Sequence, residues 1–417
     1  MCLFSIFIVD EKTIIEVLNR WNPWKKEIDA GIKRPKYINI IYPFFERKEV
    51  IVLKGVRRSG KSTILKQLIS ELLKNGVAKN QILYLNLEDY NFSSYLNVDL
   101  FEQVLNAYKK YLKNKRKIYF FIDEIQKIPG WEKWVRTKYD LNENIKFVIT
   151  GSSASLLSKE FSALLTGRNL SFRVLPLSFS EFLLFSKKGY LEDYLKFGGF
   201  PEVVLEKSKE KKLFLLQQYF EDIIHKDIID RYNIRNAKQL IELARYLVGT
   251  SSSKVSFNKL SKIFGISKDT ISIYVGYMVD AYLLVEVTYF SYSAKIRHDV
   301  TKLPKFYAID NGLINVATIK YSKNLGQMYE NTVLIKLLES FDEISYWSEL
   351  KSEVDFIAGN KAMNVTATDK VPPRERKGLE EFKRKHKNFS IFLITKSTNK
   401  GDLLSIKKFL EVEGLIT

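Results

Sequence analysis

Gly55-Val56-Arg57-Arg58-Ser59-Gly60-Lys61-Ser62 is the stretch from which the fold can be read. It has the form G-x-x-x-x-G-K-S, a loop whose backbone N–H groups cradle phosphates. Gly55 and Gly60 let the backbone turn those amides inward. Lys61 can reach the outer phosphates of a nucleoside triphosphate as a point charge. The Ser62 hydroxyl is placed to ligate Mg²⁺. Val56, Ser59 and Thr63 complete the set expected to touch nucleotide, while Arg57 and Arg58 either meet phosphate or point outward. The flanks agree with this reading. Residues 49–53 read as a buried strand, and residues 62–75 as a helix with apolar positions 64, 65, 68, 69, 72 and 73. Gly76 stands where a helix C-cap belongs. A helix N-terminus aimed at the loop adds its dipole to anion binding.

Further along, Lys117-Ile118-Tyr119-Phe120-Phe121-Ile122-Asp123-Glu124 reads as a buried strand ending in two acids. Behind a phosphate loop this is the Walker B pattern. Asp123 is expected to hold Mg²⁺ and Glu124 to polarise the attacking water, because phosphoryl transfer needs positioning and charge. The adjacent glutamate indicates an extra strand between the two Walker strands. Residues 50–53, 82–87, 118–122, 145–150 and 170–175 read as buried strands with helices between them. The fourth ends in Ile149-Thr150-Gly151-Ser152-Ser153, where a polar group would sit beside the γ-phosphate. Thr150 is the first choice and Ser152 the second, with turn chemistry as the alternative. Arg168, in Leu165-Thr166-Gly167-Arg168, is a candidate finger acting in cis or on a neighbouring subunit, or else a surface arginine.

Composition sets outer limits. The chain has 417 residues, so about two to four domains are expected. One cysteine, Cys2, excludes an internal disulfide, and three histidines make a His/Cys zinc site a poor reading. The apolar start before Asp10 is too short for a membrane span, and no other run is long enough. A cytoplasmic location is expected. The 67 Lys+Arg residues against 48 Asp+Glu give a net charge of +19. That balance attracts polyanions such as nucleic acid, or simply covers a lysine-rich solvated surface.

Downstream, residues 181–245 are helical by pattern. Residues 256–264 form a short helix, Gly265-Ile266-Ser267 a turn with Ser267 as N-cap, and residues 268–283 a longer helix before a strand at 284–290. This is the winged helix-turn-helix pattern. Lys268, Thr270 and Ser272 fall near the start of the second helix, where a base reader would sit; docking of a protein is the alternative. Glu353–Ile357 opens a hairpin. The basic tail 370–387, with Arg374, Arg376, Lys377, Lys383, Arg384 and Lys385, either grips phosphates or forms a solvated helix face.

G-V-R-R-S-G-K-S, F-F-I-D-E-I-Q, I-T-G-S-S, L-T-G-R, P-L-S-F-S-E-F and G-G-F-P-E-V, in that order, resemble an archaeal and bacterial family of AAA+-like P-loop ATPases (ArchATPase or STAND-like). The resemblance runs from Gly31-Ile32-Lys33-Arg34 to the last hundred residues. It implies an α/β fold: a P-loop core with a parallel five-stranded sheet, a helical lid, a winged helix-turn-helix and a small nuclease-like α/β domain. The expected boundaries are an N-terminal extension at 1–38, core at 39–180, lid at 181–245, winged helix at 246–318 and final domain at 319–417. It also implies ATP and Mg²⁺ as ligands, with Lys61, Glu124, Arg168 and Thr150 at the reaction. Pro201, in Gly199-Phe200-Pro201, resembles a Gly-x-Pro turn that packs near adenine in signalling and origin-recognition-type ATPases, or is an ordinary hinge. The final region resembles PD-(D/E)xK nucleases, where Asp, Glu and Lys converge on Mg²⁺. Here Asp355 and the helix carrying Glu330 fit, but Asn364 stands for the acid of Glu-x-Lys and Thr366 for the lysine. A nuclease-like fold without cutting is therefore expected. The expected function is an ATP-driven switch acting on DNA or another nucleic acid, with a signalling or scaffold ATPase bound to a protein partner as the alternative. An oligomer is compatible with either.

Overall fold

The computed structural model describes residues 9–152, 167–297, 299, 301–317 and 325–412. The apolar start at 1–8, Ser153, Leu165 and Thr166, and the expected 318/319 boundary lie outside the described residues. The chain divides into two units. One comprises residues 1–55 and 60–174, the other residues 56–59 and 175–417. No helix among the described residues is long and apolar enough to cross a membrane.

The first unit is built on a five-stranded sheet. Its strands are β1 (Val50–Lys54), β2 (Ile82–Asn86), β3 (Ile118–Asp123), β4 (Ile145–Gly151) and β5 (Asn169–Arg173), in the order β2-β3-β4-β1-β5. Every pairing is parallel. β4 thus lies between the two Walker strands, as the adjacent glutamate implied. The helices are α1 (Glu11–Trp21), α2 (Pro35–Ile41), α3 (Lys61–Lys74), α4 (Asp99–Leu112) and α5 (Trp131–Asp140). Helix α3 ends at Lys74 with Asn75 as its C-cap, and Gly76 adopts φ +86°, the left-handed conformation that suits a glycine after a helix. Both faces of the sheet are covered, so the strands read as unbroken apolar runs and all six residues of β3 are buried. Gln67 of α3 pins the segment before α2. Its Oε1 accepts from the Arg34 N–H at 3.0 Å, and its Nε2 donates to the carbonyls of Ala30 and Ile32 at 3.0 and 2.7 Å. This fixes the Gly31-Ile32-Lys33-Arg34 motif to the loop helix.

The second unit opens with helices α6 (Phe179–Ser186), α7 (Leu191–Phe197), α8 (Pro201–Leu205) and α9 (Lys209–Asp222). A π-helical turn spans Ile223–Ile229, and α10 is Ala237–Gly249. The pair α11 (Phe257–Phe264) and α12 (Lys268–Asp280) follows. Gly265 takes φ +63° between them, and the Ser267 side chain accepts from the Thr270 N–H at 3.1 Å, as expected for an N-cap. Next come β6 (Leu284–Tyr289) and β7 (Lys305–Ala308), an antiparallel pair. After α13 (Asn311–Ala317) and α14 (Leu325–Leu337) come β8 (Ile344–Glu349), β9 (Ser352–Ala358), β10 (Lys361–Val365), α15 (Pro373–Lys385), β11 (Ser390–Thr395), β12 (Leu403–Ser405) and α16 (Ile406–Glu411). β9 and β10 form the expected hairpin. All seven strands join one sheet, β12-β11-β10-β9-β8-β6-β7, because β6 pairs parallel with β8.

The Gly198-Gly199 pair has a steric cause within this unit. A Cβ at Gly198 would lie 1.8 Å from Asp310 Oδ1, and one at Gly199 would lie 2.2 Å from the Leu177 carbonyl. Asp310 accepts from the N–H groups of Gly199 and Gly312 at 2.6 and 2.8 Å. Pro201 follows as the first residue of α8, where its fixed φ suits a helix start. Burial pushes the Asp310 carboxyl from 3.8 up to about 7, against the lowering effect of those two N–H groups. The folded state therefore keeps this proton to higher pH than the unfolded chain. The contribution is full below the unfolded value and is lost as pH rises towards 7, by roughly 4 kcal/mol for this group alone. Urea unfolding between pH 5 and 7 should show stability falling more steeply with pH in the native protein than in Asp310→Asn. The variant, which can accept only one of the two N–H bonds, should be the less stable at pH 5.

Candidate nucleotide site

A parallel sheet brings the C-terminal ends of its strands to one edge, and the phosphate loop leaves β1 at that edge. A Cβ at Gly55 would lie 2.1 Å from the Val174 carbonyl oxygen, so only glycine fits. Gly60 has φ +97° and caps α3, which starts at Lys61. Lys61 is buried, and its ammonium donates to the Gly55 carbonyl at 2.9 Å. The lysine therefore lies folded over the loop, and Thr63 follows in the same first turn. Residues 56–59 group with the second unit. Val56 packs in its helical core, and Ser59 is buried. Arg57 makes a two-pronged ion pair with Asp227 in the π-helical turn, at 2.9 and 3.0 Å. Arg58 lies over the Tyr219 ring and 3.7 Å from Glu202. Both loop arginines, left open between phosphate and outward, thus face carboxylates.

Asp123 closes β3 and Glu124 follows in the left-handed region, at φ +57° and ψ +48°. This conformation costs a non-glycine residue on the order of 1 kcal/mol or more. Thr150 of β4 joins the two acids. Its hydroxyl accepts from the Glu124 N–H at 2.9 Å and donates to Asp123 Oδ1. The hydroxyl is thereby committed to the two acids, which leaves Ser152 as the sensor candidate of that strand end. Tyr84 donates to Asp123 Oδ2 at 2.8 Å, and Ser62 bonds the same carboxylate. Burial, then the neighbouring Glu124, push the Asp123 carboxyl up, while the hydroxyls of Thr150, Ser62 and Tyr84 act the other way. Burial and Asp123 in turn push the Tyr84 phenol up. Two hard oxygen donors side by side, Ser62 and Asp123, in a pocket of surplus negative charge are the donor chemistry that Mg²⁺ takes. Sequence reading gave Gln126 no role, although it lies in the quoted F-F-I-D-E-I-Q. Its amide donates to Glu124 Oε2 at 2.5 Å and to Ser152 Oγ at 3.2 Å.

Arg168 is elsewhere. Its carbonyl accepts from the Val50 N–H at 2.8 Å, at the N-terminal start of β1 and β5. Its guanidinium pairs with Asp140 at 3.1 Å. The Walker residues occupy the opposite edge of the sheet, so Arg168 does not reach this chain's own phosphates. The finger reading in cis is corrected by that placement.

In the second unit, Lys268 and Ser272 are exposed on α12, and the Thr270 N–H and hydroxyl are engaged with Ser267. The basic tail is helix α15, and four of its cations have partners. Arg376 pairs with Asp402 at 3.0 Å and Lys385 with Glu349, and Lys383 donates to the carbonyls of Lys387 and Phe389. A polar cavity of about 450 Å³ holds Asp355 and Glu330 together with Glu353, Glu375 and Lys305. Asn364 is structural there. Its Oδ1 accepts from the Asp355 N–H at 2.9 Å, and its Nδ2 donates to the Glu353 and Glu375 carbonyls at 3.1 and 3.0 Å. The buried Lys305 ammonium lies 2.6 Å from Glu353 and 3.5 Å from Asp355. Burial and then Asp355 push the Glu330 and Glu375 carboxyls up. Among the described residues no group of three or more His, Cys, Asp or Glu side chains is arranged to hold a metal ion. Lys305 and Glu375 were missed because each meets this cavity from an element distant in sequence.

A family model described as an AAA domain matches residues 47–183, and one described as a domain of unknown function (DUF8612) matches residues 188–324. An uncharacterized protein of Methanocaldococcus jannaschii is 34% identical over 336 residues, covering 74% of this chain and 72% of the relative. An uncharacterized protein of Haemophilus influenzae is 33% identical over 342 residues, covering 79% and 84%. Among solved structures, the Aeropyrum pernix ORC1 protein in complex with DNA overlaps 71% of this chain and 94% of its own, at 11% identity and a TM-score of 0.32. AMPPCP-bound DnaA from Aquifex aeolicus overlaps 62% and 90%, at 13% identity and a TM-score of 0.31. These two relatives and the matched domain lead to one conclusion: the chain belongs to the family of AAA-domain P-loop proteins that these archaeal and bacterial relatives represent.

Proposed function

We propose that the chain is a Mg²⁺-dependent ATPase of AAA+ type. The observation that carries this reading is the convergence of Lys61, Ser62, Asp123 and Glu124 on one edge of the parallel sheet. Backbone amides of the loop and the N-terminus of α3 bind the phosphates, and Lys61 adds charge at the outer two. Ser62 and Asp123 hold Mg²⁺, which supplies charge neutralisation on the phosphate oxygens. Glu124 takes the proton of the attacking water, with Ser152 near the same carboxylate through Gln126. Arg168 acts on a neighbouring subunit, which its distance from the chain's own loop favours.

What the hydrolysis drives is the second part of the reading. Helices α10 to α12 with the β6–β7 pair have the order of a winged helix-turn-helix, preceded by a helical lid and followed by a nuclease-like sheet. The exposed Lys268 and Ser272 and the charge of +19 favour a switch that acts on nucleic acid over one that docks a protein. The Lys305 ammonium against Asp355, with Asn364 held by backbone, supports a final module that does not cut.

Lys61→Ala should abolish binding of a fluorescent ATP analogue. Glu124→Gln should bind it as the native protein does, with turnover lower by about 10²–10⁴-fold; normal turnover in that variant would refute the assignment of Glu124. Arg168→Ala should bind ATP yet hydrolyse it slowly. Mixing it with inactive Glu124→Gln protomers should restore phosphate release, and no restoration counts against action between subunits. Duplex DNA should bind the native protein at low salt, more weakly as salt rises and more weakly still in Lys268→Glu, with no strand cleavage in Mn²⁺. Absence of binding at low salt, with and without ATP, would leave the protein-docking reading.

A further inference from the structure

We infer that Gln126 is a positioning residue of the hydrolytic centre, aiming the Glu124 carboxylate at the water it deprotonates. The inference rests on the ATPase reading given above. Gln126 stands in the short helical turn Ile125–Lys127, directly after Glu124. Its amide nitrogen donates to Glu124 Oε2 at 2.5 Å and to Ser152 Oγ at 3.2 Å. The amide orientation follows from chemistry, since the opposite one would set a carbonyl oxygen against a carboxylate. Its other end, Oε1, is buried and receives no donor among the described residues.

An unpaired buried acceptor costs about 1–3 kcal/mol. The left-handed backbone of the preceding Glu124 adds a second cost. Two such costs meet at one short segment, Glu124 to Gln126, and neither helps the fold. What they secure is a carboxylate held from both ends. The Thr150 hydroxyl fixes its backbone N–H, and Gln126 fixes its oxygen. In hydrolysis the water oxygen bonds to the γ-phosphorus and the bond from that phosphorus to the bridging oxygen breaks. ADP leaves, and the water proton passes to Glu124. A carboxylate free to swing loses most of that advantage, because misplacement by about 1 Å costs on the order of 10²-fold in rate.

The test uses the full chain. Gln126→Ala should bind ATP with affinity and KM within about twofold of native, while kcat falls by about 10–100-fold. A fall in kcat at unchanged KM and unchanged melting temperature is a split that loss of structure alone would not produce. Gln126→Glu keeps the shape but sets a like charge against Glu124 in place of a donor, so it should lose at least as much rate at unchanged ATP affinity. This second variant serves if the alanine form folds poorly. Unchanged or raised kcat in both variants, or a loss that appears in KM rather than kcat, overturns the role of Gln126. Normal turnover in Glu124→Gln would instead overturn the ATPase centre itself, so the two failures are told apart.

Discussion

A carboxylate buried at the end of a parallel strand must be matched by donors, and here the donors are hydroxyls. Asp123 takes them from Tyr84, Thr150 and Ser62. A lysine or arginine in the same place would cancel the charge. Hydroxyls stabilise the carboxylate and leave its charge available to a metal ion. They also tie the site to the sheet, since Tyr84 belongs to β2, Thr150 to β4 and Ser62 to the loop helix. The five buried apolar residues of β3 contribute roughly 1.5–3 kcal/mol each, which offsets the cost of drawing one acid inside.

The second cluster of acids follows the opposite rule. Asp355 is buried as deeply, but its partner is an ammonium, that of Lys305. The position that pairs with it across the hairpin carries an amide, Asn364, whose donors go to backbone and to Glu375. A charge satisfied from within exerts little pull on a cation from solution. The two units therefore contain similar carboxylates set in opposite electrostatic states.

Much of the first unit was legible because fully buried parallel strands are near-continuous apolar runs, and these mark their own limits to within a residue or two. The turn at Gly265 and the cap at Ser267 were legible for a local reason: one needs a left-handed backbone and the other a side-chain oxygen three residues before an N–H group. The reading of Thr150 rests on two different kinds of signal. Its place at the end of β4 follows from pattern, but its commitment to Asp123 depends on which way a hydroxyl points across neighbouring strands. Arg57, Arg58 and Lys305 were illegible for a related reason, since their partners lie 170, 144 and 48–50 positions away in sequence. Gln126 had the opposite problem. It lay inside a quoted motif, yet an amide two residues after an acid is uninformative until Ser152 is seen beside it.

The parallel pairing of β6 with β8 makes the β6–β7 hairpin and the last five strands one continuous sheet. Backbone hydrogen bonds, unlike a linker, do not let the joined parts turn independently. The β6–β7 pair and the strands from β8 onward are consequently displaced as a single body. Cutting the chain between them would expose the β6 edge to pairing with another chain.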